Sequence, residues 1–343
     1  MRALLLLALL LAGLLAAQPA RAATTCSAVV DAALPFGTIS NAAAGPSNAT
    51  LNIRITCNTL ALALLANAAV RVCVGIGNGD GGTTTTPWRT MVNGNGDTMN
   101  FQLYNDTGYS QITGLTPNGT PPAKELTLVY SVPALVGGSG VVTTQLSAQI
   151  PANQTLASGN YSRTFSGANV VLNWAYGETI IGNATMPSTC LAGVSGTGSA
   201  SGVGTFTATA NVLPQCGSYL TTDLDFGTVA GGISSNIDRT ATLTLTCLRR
   251  TAYQISLDNG QNSLGTVRRM RTTINNSNYY LTYELYRDSN RSQRWGNTLN
   301  VDTYGNTGTG SAQQVTVYGR VSPVTGQPPA GTYTDRVQVT ITY

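Results

Sequence analysis

The chain has 343 residues, of which 38 are glycine and 14 are proline; only 9% are charged and none is histidine. At roughly 100–200 residues per domain, this length indicates two domains. The absence of histidine excludes His-based acid–base catalysis, Ser-His-Asp and Cys-His nucleophile systems, and zinc sites with imidazole ligands. We therefore expect neither an enzyme nor a bound cofactor or metal ion.

The first 22 residues are typical of a secretory signal peptide. Arg2 supplies the positive start, residues 3–17 form the apolar core, and Ala20-Arg21-Ala22 fits the small-x-small cleavage pattern. The apolar run is short for a membrane span, although an uncleaved anchor is the alternative. We expect a mature protein that begins at Ala23 and is exported through the periplasm.

The mature chain carries little net charge. Loss of Arg2 and Arg21 lowers the total from +4 to +2. Residues 23–197 contain five basic and six acidic side chains, and residues 216–343 contain eleven and eight. Neither half has the clustered basic residues that nucleic-acid binding requires, so no nucleic-acid partner is expected.

Four of the six cysteines reveal an internal repeat. Cys26 and Cys57 are 31 positions apart, and so are Cys216 and Cys247. In each pair, the tripeptide Phe-Gly-Thr begins ten residues after the first cysteine and an alternating strand pattern leads into the second. Matching spacing and context indicate a duplication.

Six cysteines in an exported chain indicate disulfides, for which 15 pairings are possible. The repeat selects Cys26–Cys57 and Cys216–Cys247, which leaves Cys73–Cys190 by elimination. The last pair has no counterpart in the second repeat. We assign these cysteines a structural role only.

The hydrophobic pattern predicts an all-β protein. Short alternating or apolar runs are separated by Asn-Gly turn signals, and no segment shows a helical period with caps. We predict two immunoglobulin-like antiparallel sandwiches. Domain 1 would span residues 23–197 and domain 2 residues 214–343, with a linker and a strand at residues 198–213.

The region between the domains contains a spare strand. The side chains of Phe206, Ala208, Ala210 and Val212 alternate with polar residues and would face one way. This segment could fill a groove in domain 1, where its main chain would pair and its apolar side chains would be buried. The alternative is that it forms the first strand of domain 2.

Domain 2, in contrast, lacks a strand. Its final run places Val337, Val339, Ile341 and Tyr343 on one face, and no further segment follows as it does in domain 1. An unpaired edge and an apolar groove are costly to leave open. We therefore expect domain 2 to be an incomplete fold that accepts a donor strand at this groove edge. No comparable strand precedes Cys26, so we expect the protein to accept a strand without donating one.

These motifs resemble those of the spore coat protein U domain, which builds Csu-type archaic chaperone–usher pili. The resemblance rests on the Cys–Phe-Gly-Thr–Cys pattern, on Leu-Tyr-x-Asp followed by Trp295-Gly296, and on Gly-x-Tyr before the closing strand. It implies incomplete immunoglobulin-like pilin folds, a periplasmic chaperone, an outer-membrane usher and strand donation by the adjacent pilin subunit. Two such domains resemble a tip adhesin on the cell surface that supports attachment and biofilm formation.

Domain 1 contains three apolar insertions that its sister lacks. Exposed apolar patches usually mark interaction sites, and the family resemblance implies loops that grip a hydrophobic or host surface. The alternative is that the insertions extend the core or pack at a domain interface. The candidate surface-binding residues are Leu60, Leu62, Leu64 and Leu65 in the first insertion, Leu135, Val136, Val141 and Val142 in the second, and Trp174, Tyr176, Ile180 and Ile181 in the third.

Other signals are weaker. Residues 77–82 match a dinucleotide fingerprint, but no helix follows, so we interpret them as a turn. The arginines clustered at residues 268–271 and 287–294 could meet an acidic partner, but we interpret them as a solvated sheet face. Two rival functions stay open: a lectin-like module that binds a defined glycan, and a structural coat protein without an adhesive role.

Overall fold

A computed structural model of the chain describes residues 23–39, 45–60 and 67–343. The signal-peptide prediction, residues 1–22, lies outside this part. Two compact units are formed: unit 1 contains the described residues up to Gln154 together with Asn160–Asn211, and unit 2 contains Thr155–Gly159 together with Val212–Tyr343. In the described ranges, no helix is long and apolar enough to cross a membrane.

Unit 1 is built from two β-sheets. Its strands are β1 (Thr24–Val30), β2 (Ala33–Ile39), β3 (Ser47–Thr59), β4 (Asn67–Ile76), β5 (Arg89–Asn93), β6 (Thr98–Tyr104), β7 (Lys124–Ser131), β8 (Gly138–Ile150), β9 (Gly159–Phe165), β10 (Val170–Thr179), β11 (Gly196–Ser201) and β12 (Phe206–Val212). One sheet has the order β1-β3-β8-β6-β5-β9-β12-β2, and the other has the order β11-β10-β4-β7. A 3₁₀ turn, Gly167–Asn169, joins β9 to β10.

Unit 2 repeats this plan with fewer strands. They are β13 (Cys216–Thr221), β14 (Ile237–Cys247), β15 (Ala252–Leu257), β16 (Arg268–Ile274), β17 (Ser277–Tyr286), β18 (Tyr304–Thr307), β19 (Ala312–Val321) and β20 (Val339–Thr342). The sheet orders are β13-β14-β19-β17-β16 and β18-β15-β20. The all-β prediction is confirmed by both units.

Three disulfides join the cysteines in the predicted pairs, two indicated by the repeat and the third, Cys73–Cys190, left by elimination. Cys26 lies directly opposite Cys57 in the β1–β3 register, and Cys216 lies opposite Cys247 in the β13–β14 register. Each of these bonds therefore closes the first strand of a unit onto its neighbour. The Cys73–Cys190 bond instead fastens a loop to β4.

The shared Leu-Tyr-x-Asp motif shapes the same loop in both units. The carboxylate of Asp106 accepts hydrogen bonds from the hydroxyl of Ser110 and from the backbone N–H of Gln111. Asp288 makes the same two bonds with Ser292 and Gln293. Backbone N–H groups in this loop have no partner on a neighbouring strand. The aspartate carboxylate accepts their hydrogen bonds instead, which explains why an aspartate recurs at this position.

One arginine in each unit is fully buried, Arg89 in β5 and Arg268 in β16. The guanidinium of Arg268 donates to the carbonyls of Leu257, Asp258 and Trp295 and forms an ion pair with Glu284. The prediction that the 268–271 arginines form a solvated face is therefore wrong for Arg268. A planar group with five donors can satisfy several carbonyls at once, and this makes the buried position possible.

Candidate surface-binding site and strand-acceptor groove

Three connections of unit 1 leave the sheets at the same end. Asn67, the first residue of β4, lies opposite Ser131 at the end of β7 and opposite Thr179 at the end of β10. Thr59, the last residue of β3, lies opposite Gly138 at the start of β8. The connections after β3, β7 and β10 therefore all begin at this end, and these are the three apolar insertions.

These connections expose large apolar side chains. The exposed fraction is 83% for Leu135, 81% for Val136 and 87% for Ile181, with 60% for Ile180 and 69% for Leu60. We call these five residues the apolar tip. Leu62, Leu64 and Leu65 belong to the same insertion as Leu60 but lie outside the described residues.

Leu135 occupies a backbone conformation that rarely suits leucine. Its φ is 60°, in a tight turn in which the backbone N–H groups of Val136 and Gly137 both donate to the carbonyl of Pro133. A left-handed conformation costs an ordinary residue roughly 1–2 kcal/mol, whereas glycine or asparagine adopts it readily. The exposed side chain recovers none of this cost by burial.

A hydrogen-bonded polar cluster lies at the base of the apolar tip. The Thr24 hydroxyl donates to Glu178 over 2.8 Å, and the Thr59 hydroxyl lies 2.7 Å from Thr24 and 2.8 Å from the Tyr130 hydroxyl. Burial raises the pKa of the Glu178 carboxyl, and the bond from Thr24 opposes this effect. The cluster ties β1, β3, β7 and β10 together where the insertions begin.

The third insertion is fastened to the outer face of its sheet. The side-chain amide of Asn67 donates to the carbonyl of Gly182, and Arg71 donates to the carbonyl of Pro187. The Cys73–Cys190 disulfide adds a covalent link to the same stretch. Gly177 has to be glycine here, because a Cβ would lie 2.2 Å from the carbonyl oxygen of Thr185.

Three of the predicted surface-binding residues are not exposed. Trp174 and Tyr176 are buried, with 7% and 8% of their surface exposed, and Val142 is half-buried within β8. The Trp174 indole N–H donates to the carbonyl of Thr24. The prediction that Trp174 and Tyr176 bind a surface is therefore wrong. Val141 is 48% exposed.

Glycines on a neighbouring strand make room for these two rings. A Cβ on Gly198 would lie 2.3 Å from the Trp174 ring, and one on Gly196 would lie 2.5 Å from the Tyr176 hydroxyl oxygen. Both glycines belong to β11, which pairs with β10. The predicted linker, which was expected to begin at residue 198, therefore begins within a paired strand, because only glycine allows β11 to pass beneath the rings.

The spare strand lies inside unit 1. β12 is placed between β9 and β2, so the alternative that it begins domain 2 does not hold in the structure. Phe206 and Ala208 are completely buried, as are nearly all of Ala210 and Val212. The Phe206 ring stacks on the Phe165 ring with centroids 4.5 Å apart, and the Phe165 ring in turn meets the Phe101 ring edge to face.

Unit 2 has the walls of the same groove but no strand between them in the described residues. Phe226 meets Tyr283 edge to face at 6.1 Å, as Phe36 meets Phe101 at 5.9 Å in unit 1. β20 pairs with β15 on one side only and forms the edge of its sheet. The segment after β13 that carries Phe226 is not a strand, whereas β2, its counterpart, is one.

The predicted groove-edge residues line this opening. Val337, Val339 and Ile341 are half-buried at alternate positions and pack against the core of unit 2, while Tyr343 is 56% exposed. Val337 precedes β20, which begins at Val339. Leu224 and Phe226 are likewise only half-buried. Such partial burial of large apolar side chains is expected where a covering strand is absent.

The fold and these features define a duplicated β-sandwich protein whose two units differ in whether they hold a closing strand. The model of the spore coat protein U domain matches residues 11–167 and 203–340. The chain therefore belongs to the spore coat protein U domain family. A search of curated protein sequences found no match.

Two solved structures are similar over most of the chain. One is the CsuC–CsuE chaperone–tip adhesion subunit pre-assembly complex of Acinetobacter baumannii Csu pili, with 18% identity, a TM-score of 0.39, and coverage of 93% of this chain and 100% of that one. The other is the CupB6 tip adhesin of Pseudomonas aeruginosa, with 11% identity, a TM-score of 0.36, and coverage of 94% of both chains.

Proposed function

We propose that this protein is the tip adhesin of a chaperone–usher pilus and attaches cells to surfaces through the apolar tip of unit 1. The observation that carries the proposal is the exposure of Leu135, Val136 and Ile181, each above 80%, at one end of a single unit. Exposing five large apolar side chains to water is unfavourable. Burying them against a partner surface would be favourable by roughly 25 cal/mol per Å² of apolar area.

The strain at Leu135 supports an outward role for this loop. A leucine with positive φ and 83% exposure contributes nothing to the packing of unit 1. Glycine would satisfy the turn at lower cost. A side chain held at such a position fits a residue that contacts something outside the chain.

Non-directional burial needs no fixed ligand chemistry, so the surface we propose is an abiotic or host surface of apolar character. The five tip residues carry no charge, and the nearby Glu178 carboxylate is engaged by Thr24. Attachment should therefore depend little on salt. A structural coat protein would instead be expected to bury these insertions.

Unit 2 would connect the adhesin to its pilus. We propose that a strand from the adjacent pilin subunit enters the groove bordered by Val337, Val339 and Ile341. It would pair along the edge that runs from residues 331–337, the counterpart of β9, into β20, as β12 and β11 pair with β9 and β10 in unit 1. Main-chain hydrogen bonds would supply affinity and the alternating apolar side chains would supply specificity. Before assembly, a periplasmic chaperone would cover this groove, and an outer-membrane usher would receive the complex. The usher would deliver the protein to the cell surface, where it would support biofilm formation.

The test of adhesion exchanges Leu135 and Val136 for serine in the assembled pilus. We expect attachment to alkyl-coated glass to fall at least tenfold, with pilus assembly unchanged. The matched control is Val29→Ser, because Val29 is 68% exposed on β1 but lies outside the apolar tip. Attachment that survives the double substitution, with correct folding, would contradict the proposal.

A further inference from the structure

A cleft of about 250 Å³ lies in unit 1, at the end opposite the apolar tip. The tip is found where β4 begins, and the cleft is found just after β4 ends at Ile76. At about 3.3 Å per residue, the ten residues of β4 separate the two by roughly 30 Å. The cleft is lined by Asn78, Thr85, Gly114, Thr116, Thr120 and Asn169, among others.

Arg89 fixes the backbone on both sides of this cleft. Its guanidinium donates to the backbone carbonyls of Gly77 and Ile76 on one side and of Thr113 on the other, each within 2.8 Å. It also donates to the side-chain oxygen of Gln102. Burial lowers the pKa of Arg89 to about 9, which still leaves it charged at neutral pH. The cleft walls are therefore held rigidly before any ligand arrives.

The polar side chains of the cleft divide into two groups. Asn169 is engaged, since its Oδ1 accepts from the backbone N–H of Gly79 and its Nδ2 donates to Asp80. The side chains of Asn78, Thr85, Thr116 and Thr120 make no hydrogen bond within the described part of the chain. One carboxamide and three hydroxyls are thus free to donate and accept, and no charged residue lines the cleft.

In unit 2 an arginine side chain crosses the corresponding position. Ile112 and Arg294 are counterparts, because each bridges the tyrosine of its Leu-Tyr-x-Asp motif. Arg294 donates to the carboxamide oxygen of Asn259, which corresponds to Asn78, and lies 3.6 Å from Asp302 on the other side. In unit 2 the Arg294 side chain therefore bridges these two positions, whereas the Asn78 side chain of unit 1 makes no hydrogen bond within the described residues.

We propose that the unit 1 cleft binds one pyranose ring of a neutral carbohydrate. Carboxamides, hydroxyls and backbone groups match the mixed donor and acceptor pattern of sugar hydroxyls. The volume is below the roughly 300–1,000 Å³ of clefts that take drug-sized ligands, which suits a single ring. The absence of lining charges favours a neutral sugar. This second binding site does not depend on the adhesive role of the apolar tip.

The test is saturation-transfer-difference NMR on the full mature chain. The probes are methyl glycosides of mannose, galactose and glucose at millimolar concentration, with methyl glucuronide as a charged comparator. We expect at least one neutral glycoside to receive saturation and the glucuronide to receive less. Asn78→Ala should weaken binding about tenfold, the cost of losing one or two hydrogen bonds.

Two further variants make the result decisive. Ile112→Arg copies the unit 2 arrangement and should abolish binding by crossing the cleft, and Thr85→Val removes a hydroxyl at nearly constant volume if the arginine disturbs folding. Thr127→Val, on the exposed face of β7, is the control and should bind normally. No saturation of any neutral glycoside, equal saturation of the glucuronide, or binding unchanged by Asn78→Ala and Thr85→Val would overturn the proposal.

Discussion

The rings of Phe165 and Phe206 stack in parallel in unit 1, with their centroids 4.5 Å apart and their planes 4° apart. In unit 2, Val337 occupies the position of Phe165, three residues after the bridge that joins Thr334 to Arg271. No described residue occupies the position of Phe206. The two units therefore differ at the groove: the closing strand is part of unit 1, and no described residue fills the same place in unit 2.

Phe206 should be essential to the stability of unit 1. We expect Phe206→Ala to cost about 3–5 kcal/mol, since it removes a fully buried ring and its stacking partner loses its contact. Denaturant unfolding followed by a probe in unit 1 measures this cost. Thr209→Ala, an exposed position on the same strand, is the control and should change stability by less than about 0.5 kcal/mol. Equal effects of the two substitutions would show that β12 is not packed as described.

Glu178 should make unit 1 less stable at neutral pH than at acid pH. Burial raises the pKa of this carboxyl in the folded state, so the protonated form is favoured by folding. Stability is complete below the unfolded pKa of about 4.5 and decreases as pH rises through the higher folded pKa. We therefore expect Glu178→Gln to raise the Tm at pH above 7 and to leave it nearly unchanged at pH below 4. A Tm difference that is constant with pH would contradict this account.

Arg89 should not be replaceable by lysine. A single ammonium group cannot reach the carbonyls of Ile76, Gly77 and Thr113 together, so Arg89→Lys leaves buried acceptors unpaired. We expect a loss of roughly 2–5 kcal/mol in the free energy of unfolding. Arg54→Lys, at an exposed position of β3, should be nearly neutral. A tolerated Arg89→Lys would mean that charge alone, and not the planar set of donors, is what the position requires.

Much of the fold could be predicted from sequence because its signals are local. The cysteine spacing, the Phe-Gly-Thr tripeptide and the alternating runs each act within a few residues, and together they indicate two similar sandwiches. The alternation of apolar and polar residues from Phe206 to Val212 likewise predicts which side chains are buried, and the structure has the apolar ones buried.

The errors arose where burial depends on a distant partner. Trp174 and Tyr176 lie in an apolar insertion, but their burial is determined by Gly196 and Gly198 on another strand. Arg268 lies in a cluster of charged residues, but its side chain is surrounded by backbone carbonyls. The sequence pattern of side chains does not predict where backbone carbonyls will lie. The open cleft was missed for the same reason. A comparison of Ile112 with Arg294 across the repeat would have been the one available signal.

The strand-acceptor role of unit 2 is tested most directly with a peptide that copies Phe206–Val212 of this same chain. The peptide fits the groove of unit 1, and the matching walls of unit 2 should accept it in the same way. We predict that titrating it into the mature protein raises the Tm of unit 2 in a saturable manner. A peptide in which Phe206 is replaced by serine should have little effect. If neither peptide changes the Tm and unit 2 is already stable alone, unit 2 is complete without a donated strand and the pilus assignment fails.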